Sequence, residues 1–223
     1  MTSAGPGRPR HQQPSRPGAT AREEILDAAA ELFTTQGFAS TSTRSIADAV
    51  GIRQSSLYHH FKTKDDILED LLEGTVSGGL TFARAVAALP AGPLEAEGPA
   101  GSRLHAVAVY DGTQLCNARW NLGVLYHLPE VRSTRFARFL NDRQELRHLY
   151  GELGGGLSAT AAGPDGGDLT FRLVESLIYL RADGAVGPES PLQAADAGLI
   201  LCGLGRELPA IRAASRSLID RLA

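Results

Sequence analysis

The chain has 223 residues, 43% hydrophobic and 21% charged, with a formal net charge of -3. That is enough for a sizeable core in one domain, or in a small domain plus a larger one, and too little positive charge for a general nucleic-acid coat or a membrane-surface binder. Two cysteines, Cys116 and Cys202, exclude a disulfide framework and offer no C-x-x-C zinc site. No apolar run reaches the roughly 18 residues of a membrane span, and no secretory leader is legible, so a soluble intracellular protein without a membrane partner is expected.

Charge is uneven. Residues 1–64 carry eight basic and five acidic groups, a net +3, which leaves -6 for the remainder. This predicts an electropositive end for a polyanion and an acidic body with a separate task. The first stretch, rich in Pro, Gly, Ser and Arg, reads as a disordered basic arm over residues 1–19. Such an arm either tracks DNA or is a passive tail.

From Thr20 the pattern is helical. Thr20 and Glu23 form a capping box, and Ile25, Ala28, Ala29, Leu32 and Phe33 follow at helical spacing until Gly37, where Phe38 is expected to fold back on Phe33. A short helix is predicted from Thr43 to Val50 with a Ser42 cap, inward-facing Ile46, Ala47 and Val50, and Gly51 as terminator. After a tight turn with Ile52 buried, residues 54–61 make a third helix with Leu57 and Phe61 inward. A fourth starts at a Thr63 cap, with Asp65 and Asp66 in its first turn. Residues 90–101 read as a linker. Beyond it, helices are predicted over 102–128, 132–157, 169–182 and 192–222, the last interrupted near 203–205. The fold class is all-α.

Two short helices around a glycine turn, the second with a polar outer face, form a helix-turn-helix over about residues 43–62, in which one helix enters a DNA major groove while its predecessor braces the backbone. With the Thr43-Arg44-x-Ile46-Ala47 segment, Gly51-Ile52, Leu57-Tyr58-x-x-Phe61 and Lys64, residues 22–72 resemble the TetR family of one-component regulators. Arg53 departs from the small capping residue often found there. The resemblance implies a helix-turn-helix domain over 20–80, a larger helical ligand-binding and dimerisation domain over 81–223, and a bacterial cytoplasmic setting.

Residue types suggest the division of labour. Gln54, Ser55, Ser56 and His59 suit base edges, Arg44 suits a guanine, and Thr43, Tyr58, His60, Lys62 and Lys64 suit phosphates. The resemblance implies the same for Thr43, Arg44, Gln54, Tyr58, His60 and Lys64. The competing reading is that Tyr58, His59 and His60 only cover the small helical core. Neighbouring histidines on a helix point about 100° apart, so no metal site is expected.

The segment 169–182 is apolar on two sides, and 192–204 is apolar nearly all round with small Ala195, Gly198 and Gly203. Both are expected in a homodimer interface through Leu173, Leu177, Leu199 and Cys202. The segment 102–128 mixes His105, Tyr110, Asn117, Trp120, Asn121, Tyr126 and His127 with apolar residues. A pocket for an unknown small-molecule effector is expected at Asn117, Trp120 and Asn121, facing Phe136 and Phe139, with no cofactor. No H-E-x-x-H, G-x-S-x-G or G-x-x-x-x-G-K pattern occurs, so no enzyme and no catalytic residue is expected. The reading is a ligand-responsive regulator of double-stranded DNA, a repressor released from a palindromic operator. The alternatives are a dimeric regulator whose body only dimerises or docks another protein, with no small-molecule inducer, and, from another class, a helical enzyme.

Overall fold

The computed structural model describes residues 16–90, 99–157 and 165–223. Among them all regular structure is helical: α1 (Ala21–Thr35), α2 (Thr43–Val50), α3 (Gln54–His60), α4 (Lys64–Ala87), α5 (Ser102–Asn117), three 3-10 turns (Leu122–His127, Pro129–Arg132, Thr134–Phe136), α6 (Ala137–Gly154), α7 (Gly166–Ala182), α8 (Ser190–Leu201) and α9 (Leu208–Leu222). No helix among the described residues is long and apolar enough to cross a membrane. Most of the expected arm and linker lies outside the described residues. Two compact units divide at Leu68 and Glu69, inside α4 and ahead of the boundary at residue 80 read from sequence.

The first unit forms as its local signals dictate. The Thr20 hydroxyl accepts from the Glu23 N–H at 3.2 Å, and the Glu23 carboxylate accepts from the Thr20 N–H at 3.1 Å, closing the capping box. Phe38 returns against Phe33 edge-to-face, with ring centroids 5.0 Å apart. A second box, Ser42 with Ser45, starts α2. Gly51, at φ 74°, ends it in a left-handed conformation that a side chain would strain. Ile25, Phe33, Ile46, Leu57, Phe61, Ile67 and Leu68 fill the core, whereas Ile52 is only half-buried. Arg16, expected in a loose arm, is tied down: its guanidinium donates to the Ala49 carbonyl at 3.0 Å and pairs with Asp27 and Glu31 at 3.1 and 2.6 Å.

In the second unit α5 packs against α7, α8 and α9, and α6 crosses α7. Three sequence boundaries need correction. The helix from 102 stops at Asn117: Ala118 leaves helical geometry at ψ 138°, and Arg181 takes up the carbonyls of Leu115 (2.7 Å) and Ala118 there. Pro129 then opens a 3-10 turn, so the next α-helix begins at Ala137, not 132. Asp165 caps the Gly167 N–H at 3.0 Å and starts α7 three residues before the expected Leu169. The expected interruption near 203–205 is present between α8 and α9.

The dimer assignment also changes. Leu177, Leu199 and Cys202 are buried within one subunit, and Leu173 is half-buried. Leu177 joins Phe171, Val174 and Ile178 on the inward side of α7. Gly198 serves α7 of the same chain, since a β-carbon there would stand 2.4 Å from the Thr170 hydroxyl. The apolar side chains left outside are Tyr179 and Leu180 on α7 and Ile200 and Leu201 on α8, each between 42% and 60% exposed. A buried polar network also crosses this unit. His105 Nδ1 lies 2.8 Å from the Ser215 hydroxyl and Nε2 lies 3.1 Å from Asp196, which Arg212 grips from α9. Burial opposes charging of His105 and moves its pKa down despite Asp196. Burial also opposes charging of Asp196, but Arg212 and His105 outweigh it and keep that pKa low.

Candidate nucleic-acid interface

Gln54 opens α3 and Tyr58 lies one turn on, so the two share a face. The Gln54 amide donates to the Thr43 hydroxyl at 3.0 Å and the Tyr58 hydroxyl at 3.1 Å, and those hydroxyls lie 3.2 Å apart. Three expected contact residues from two helices thus converge on one polar cluster. Tyr58 is 46% exposed, which goes against a purely core-covering role. Around the cluster Arg44, Ser55, His59, His60 and Lys62 are exposed and Ser56 is half-buried. Among the described residues Arg44 meets Asp48 at 4.0 Å across one turn, both being largely exposed. Arg53 makes no side-chain cap, as its departure from the small residue implies. The face is an array of amide, hydroxyl, imidazole and cationic groups, which offers donors to phosphates and both donors and acceptors to base edges.

Lys64 is engaged elsewhere. Its ammonium donates to the Phe38 carbonyl at 2.6 Å and the Thr41 carbonyl at 2.9 Å, and sits 4.1 Å from the Phe38 ring centroid. Two of its three N–H groups therefore fasten the loop between α1 and α2, a job that its position after Phe61 did not reveal.

The residues expected around an effector do not converge. Asn117 is exposed, Trp120 is half-buried beside Arg119, and Asn121 donates to the Ile178 carbonyl at 2.8 Å, fastening the 3-10 segment to α7. Phe136 and Phe139 are buried core, Phe139 lying 5.1 Å from the Tyr126 ring. A small cavity in the second unit lies instead among Thr75, Val76, Asp111, Leu115, Tyr126, Arg143, Leu146, Phe171 and Glu175. It has room for about one water molecule. Arg143 grips Glu175 in a fork at 2.7 and 2.6 Å, Tyr126 donates to Thr75 at 2.7 Å, and Tyr150 donates to Asp111 at 3.0 Å. Burial, augmented by the charge of Glu175 and opposed by the Tyr150 bond, raises the Asp111 pKa to about 6. Asp111 and Glu175 were legible only as polar interruptions in otherwise apolar helical repeats.

Comparison with known proteins places this geometry. The model of bacterial regulatory proteins, tetR family, matches residues 25–71. The chain is 52% identical to AmtR of Mycobacterium smegmatis, whose crystal structure aligns with a TM-score of 0.83 over 92% of this chain and 97% of that one. The chain belongs to the tetR family. Within that family, the transcriptional repressor KstR2 of Mycolicibacterium smegmatis is 48% identical over 59 residues, 26% of this chain and 28% of that protein. KstR2 of Rhodococcus jostii is 49% identical over 53 residues, 24% of this chain and 26% of that protein. The chain thus spans about a quarter of the length of the curated relatives it matches. A structure of KstR2 of Mycobacterium tuberculosis shares the fold, with a TM-score of 0.62 at 23% identity over 84% of this chain and 95% of that one.

Proposed function

We propose that this TetR-family chain is a homodimeric transcriptional repressor that reads a two-fold related DNA site with α3 and leaves it when its body receives an effector. The observation that carries the reading is the Thr43–Gln54–Tyr58 cluster, set among exposed Arg44, Ser55, His59, His60 and Lys62. Gln54 and Arg44 read base edges there, and Thr43 and Tyr58 fix the protein on phosphates. The repressor names of the KstR2 relatives support the direction of control.

A dimer follows from the stripe of Tyr179, Leu180, Ile200 and Leu201, since two copies of α7 and α8 would cover one another as a four-helix layer. Such a dimer carries two copies of α3, which calls for a site of two related halves. The setting is the bacterial cytoplasm. Selection of bound sequences from random duplexes tests the reading. An inverted repeat is expected, and failure to enrich any sequence would refute it.

One observation favours the second reading, in which the body docks another protein and no small molecule acts. The cavity holds about one water, so a bulky inducer fits only if its walls part. A thermal-shift screen separates the two, because a ligand of the native state raises its apparent stability and an absent one does not.

A further inference from the structure

We propose that the cavity bounded by α4, α5, α6, α7 and the Leu122–His127 turn is a receptor site for a small protonated amine, ammonium or methylammonium, held by the free oxygen of the Asp111 carboxylate.

Two carboxylates, Asp111 and Glu175, and one guanidinium, Arg143, line the cavity. Arg143 spends its charge on Glu175 through a two-bond fork. Asp111 has no such partner. It is 95% buried, and among the described residues its one hydrogen-bond donor is the neutral Tyr150 hydroxyl, which bonds Oδ2. Among the described residues no donor reaches Oδ1, which lies close against Gly79, where a β-carbon would approach it to 2.6 Å, and Asp111 itself lines the cavity. A largely buried carboxylate whose one donor is neutral is costly to charge, and a cation that neutralises it gains what burial in water-poor surroundings takes away.

Size and wall chemistry narrow the class. Room for about one water admits ammonium and, with slight adjustment, a one-carbon amine. An anion is repelled by Asp111, whose charge no guanidinium offsets, since Arg143 is spent on Glu175. A hard metal ion asks for roughly six or more oxygen ligands, and the described residues hold no group of three metal-ligating side chains. An N–H cation needs only a few acceptors and tolerates aromatic faces as further partners. The Tyr126 and Phe171 rings already turn toward a cation, with the Arg143 guanidinium 5.9 and 5.5 Å from their centroids. The inference rests on the proposed sensory role only for its consequence on DNA, because binding itself is measurable without DNA.

The experiment follows thermal unfolding of the full chain at pH 8 and fixed ionic strength while sodium chloride is exchanged for ammonium, methylammonium or tetramethylammonium chloride. At ten times the dissociation constant a rise of about 3 to 6 °C is expected for ammonium or methylammonium over sodium. None is expected for tetramethylammonium, which is too large and has no N–H. Asp111→Asn should abolish the rise. Should that variant fail to fold, wild type at pH 5 serves, since a protonated Asp111 no longer attracts the cation. The charged and titratable groups around Asp111 are Tyr126 of the turn, Arg143 and Tyr150 of α6, and Glu175 of α7. No rise in wild type at pH 8, an equal rise with tetramethylammonium, or an unchanged rise in Asp111→Asn or at pH 5 would each overturn the proposal. The duplex selection above fails or succeeds separately.

Discussion

Replacing Lys64 by Met keeps the aliphatic stem and removes the ammonium. The Thr41 carbonyl then loses its 2.9 Å charged donor, while the Phe38 carbonyl keeps only the Thr41 N–H at 3.2 Å. A hydrogen bond to a charged group contributes about 1.5 to 3 kcal/mol when buried; Lys64 is half-exposed, so about 1 kcal/mol for each of the two bonds is appropriate. The contact with the Phe38 ring adds about 0.5 to 1 kcal/mol. The expected loss is about 2 to 3 kcal/mol, or about 4 to 12 °C in Tm for a chain of this size. Differential scanning calorimetry measures it, and anisotropy with a selected duplex across a salt series measures DNA binding in parallel. If Lys64 fastens the loop, stability falls and the salt slope per subunit changes by well under about 1. Unchanged stability together with a slope reduced by about 1 would refute the reasoning and put the ammonium on a phosphate.

Gln54→Ala should cost on the order of 1 to 3 kcal/mol on a selected duplex and far less on a scrambled one, measured by anisotropy; equal losses on both would remove it from base reading. Leu180→Asp combined with Ile200→Asp should convert a sedimenting dimer to monomer while leaving the helical circular dichroism intact, because both side chains are exposed in one subunit. Asp111→Asn should stabilise the chain at pH 7.5. Moving a carboxyl pKa from 3.8 to about 6 corresponds to about 3 kcal/mol. Because the folded-state pKa is raised, wild type should lose this stability as pH rises from about 4 to 6, a slope that urea unfolding should find flattened in the variant.

The first unit was legible because each of its signals is local. A capping box, a glycine terminator and a Leu57–Phe61 pair act within a few residues, and α1 to α3 appear where those signals put them. The body was legible in class but not in detail, because its boundaries are set by partners distant in sequence. Nothing near Asn117 announces the end of α5; Arg181, more than sixty residues on, takes the carbonyls there. Apolarity likewise does not say which side of α7 meets its own chain, and Leu177 and Leu199 went inward while Leu180 and Ile200 stayed out. His105, read as one of several polar groups around a pocket, is instead a fully buried bridge among α5, α8 and α9. That Gln54 and Tyr58 share a face followed from helical spacing, whereas Thr43 joins them only through the packing of α2 on α3, and the clustering of Asp111 with Arg143 and Glu175 depends on how three helices cross.

The segment from Leu122 to Phe136 replaces two or more turns of α-helix by consecutive 3-10 turns, closed by bonds such as Leu125 to Leu128, Leu128 to Val131 and Ser133 to Phe136. Bonds of this kind have poorer geometry and share less cooperativity than an α-helical ladder, so the segment can open without melting its neighbours. Tyr126, a wall of the cavity, rides on it. Access to the interior is then a matter of how often this strip breathes, and a solute's rate of capture would track amide exchange at Val124, Leu125 and Leu128 more closely than the width of any permanent opening.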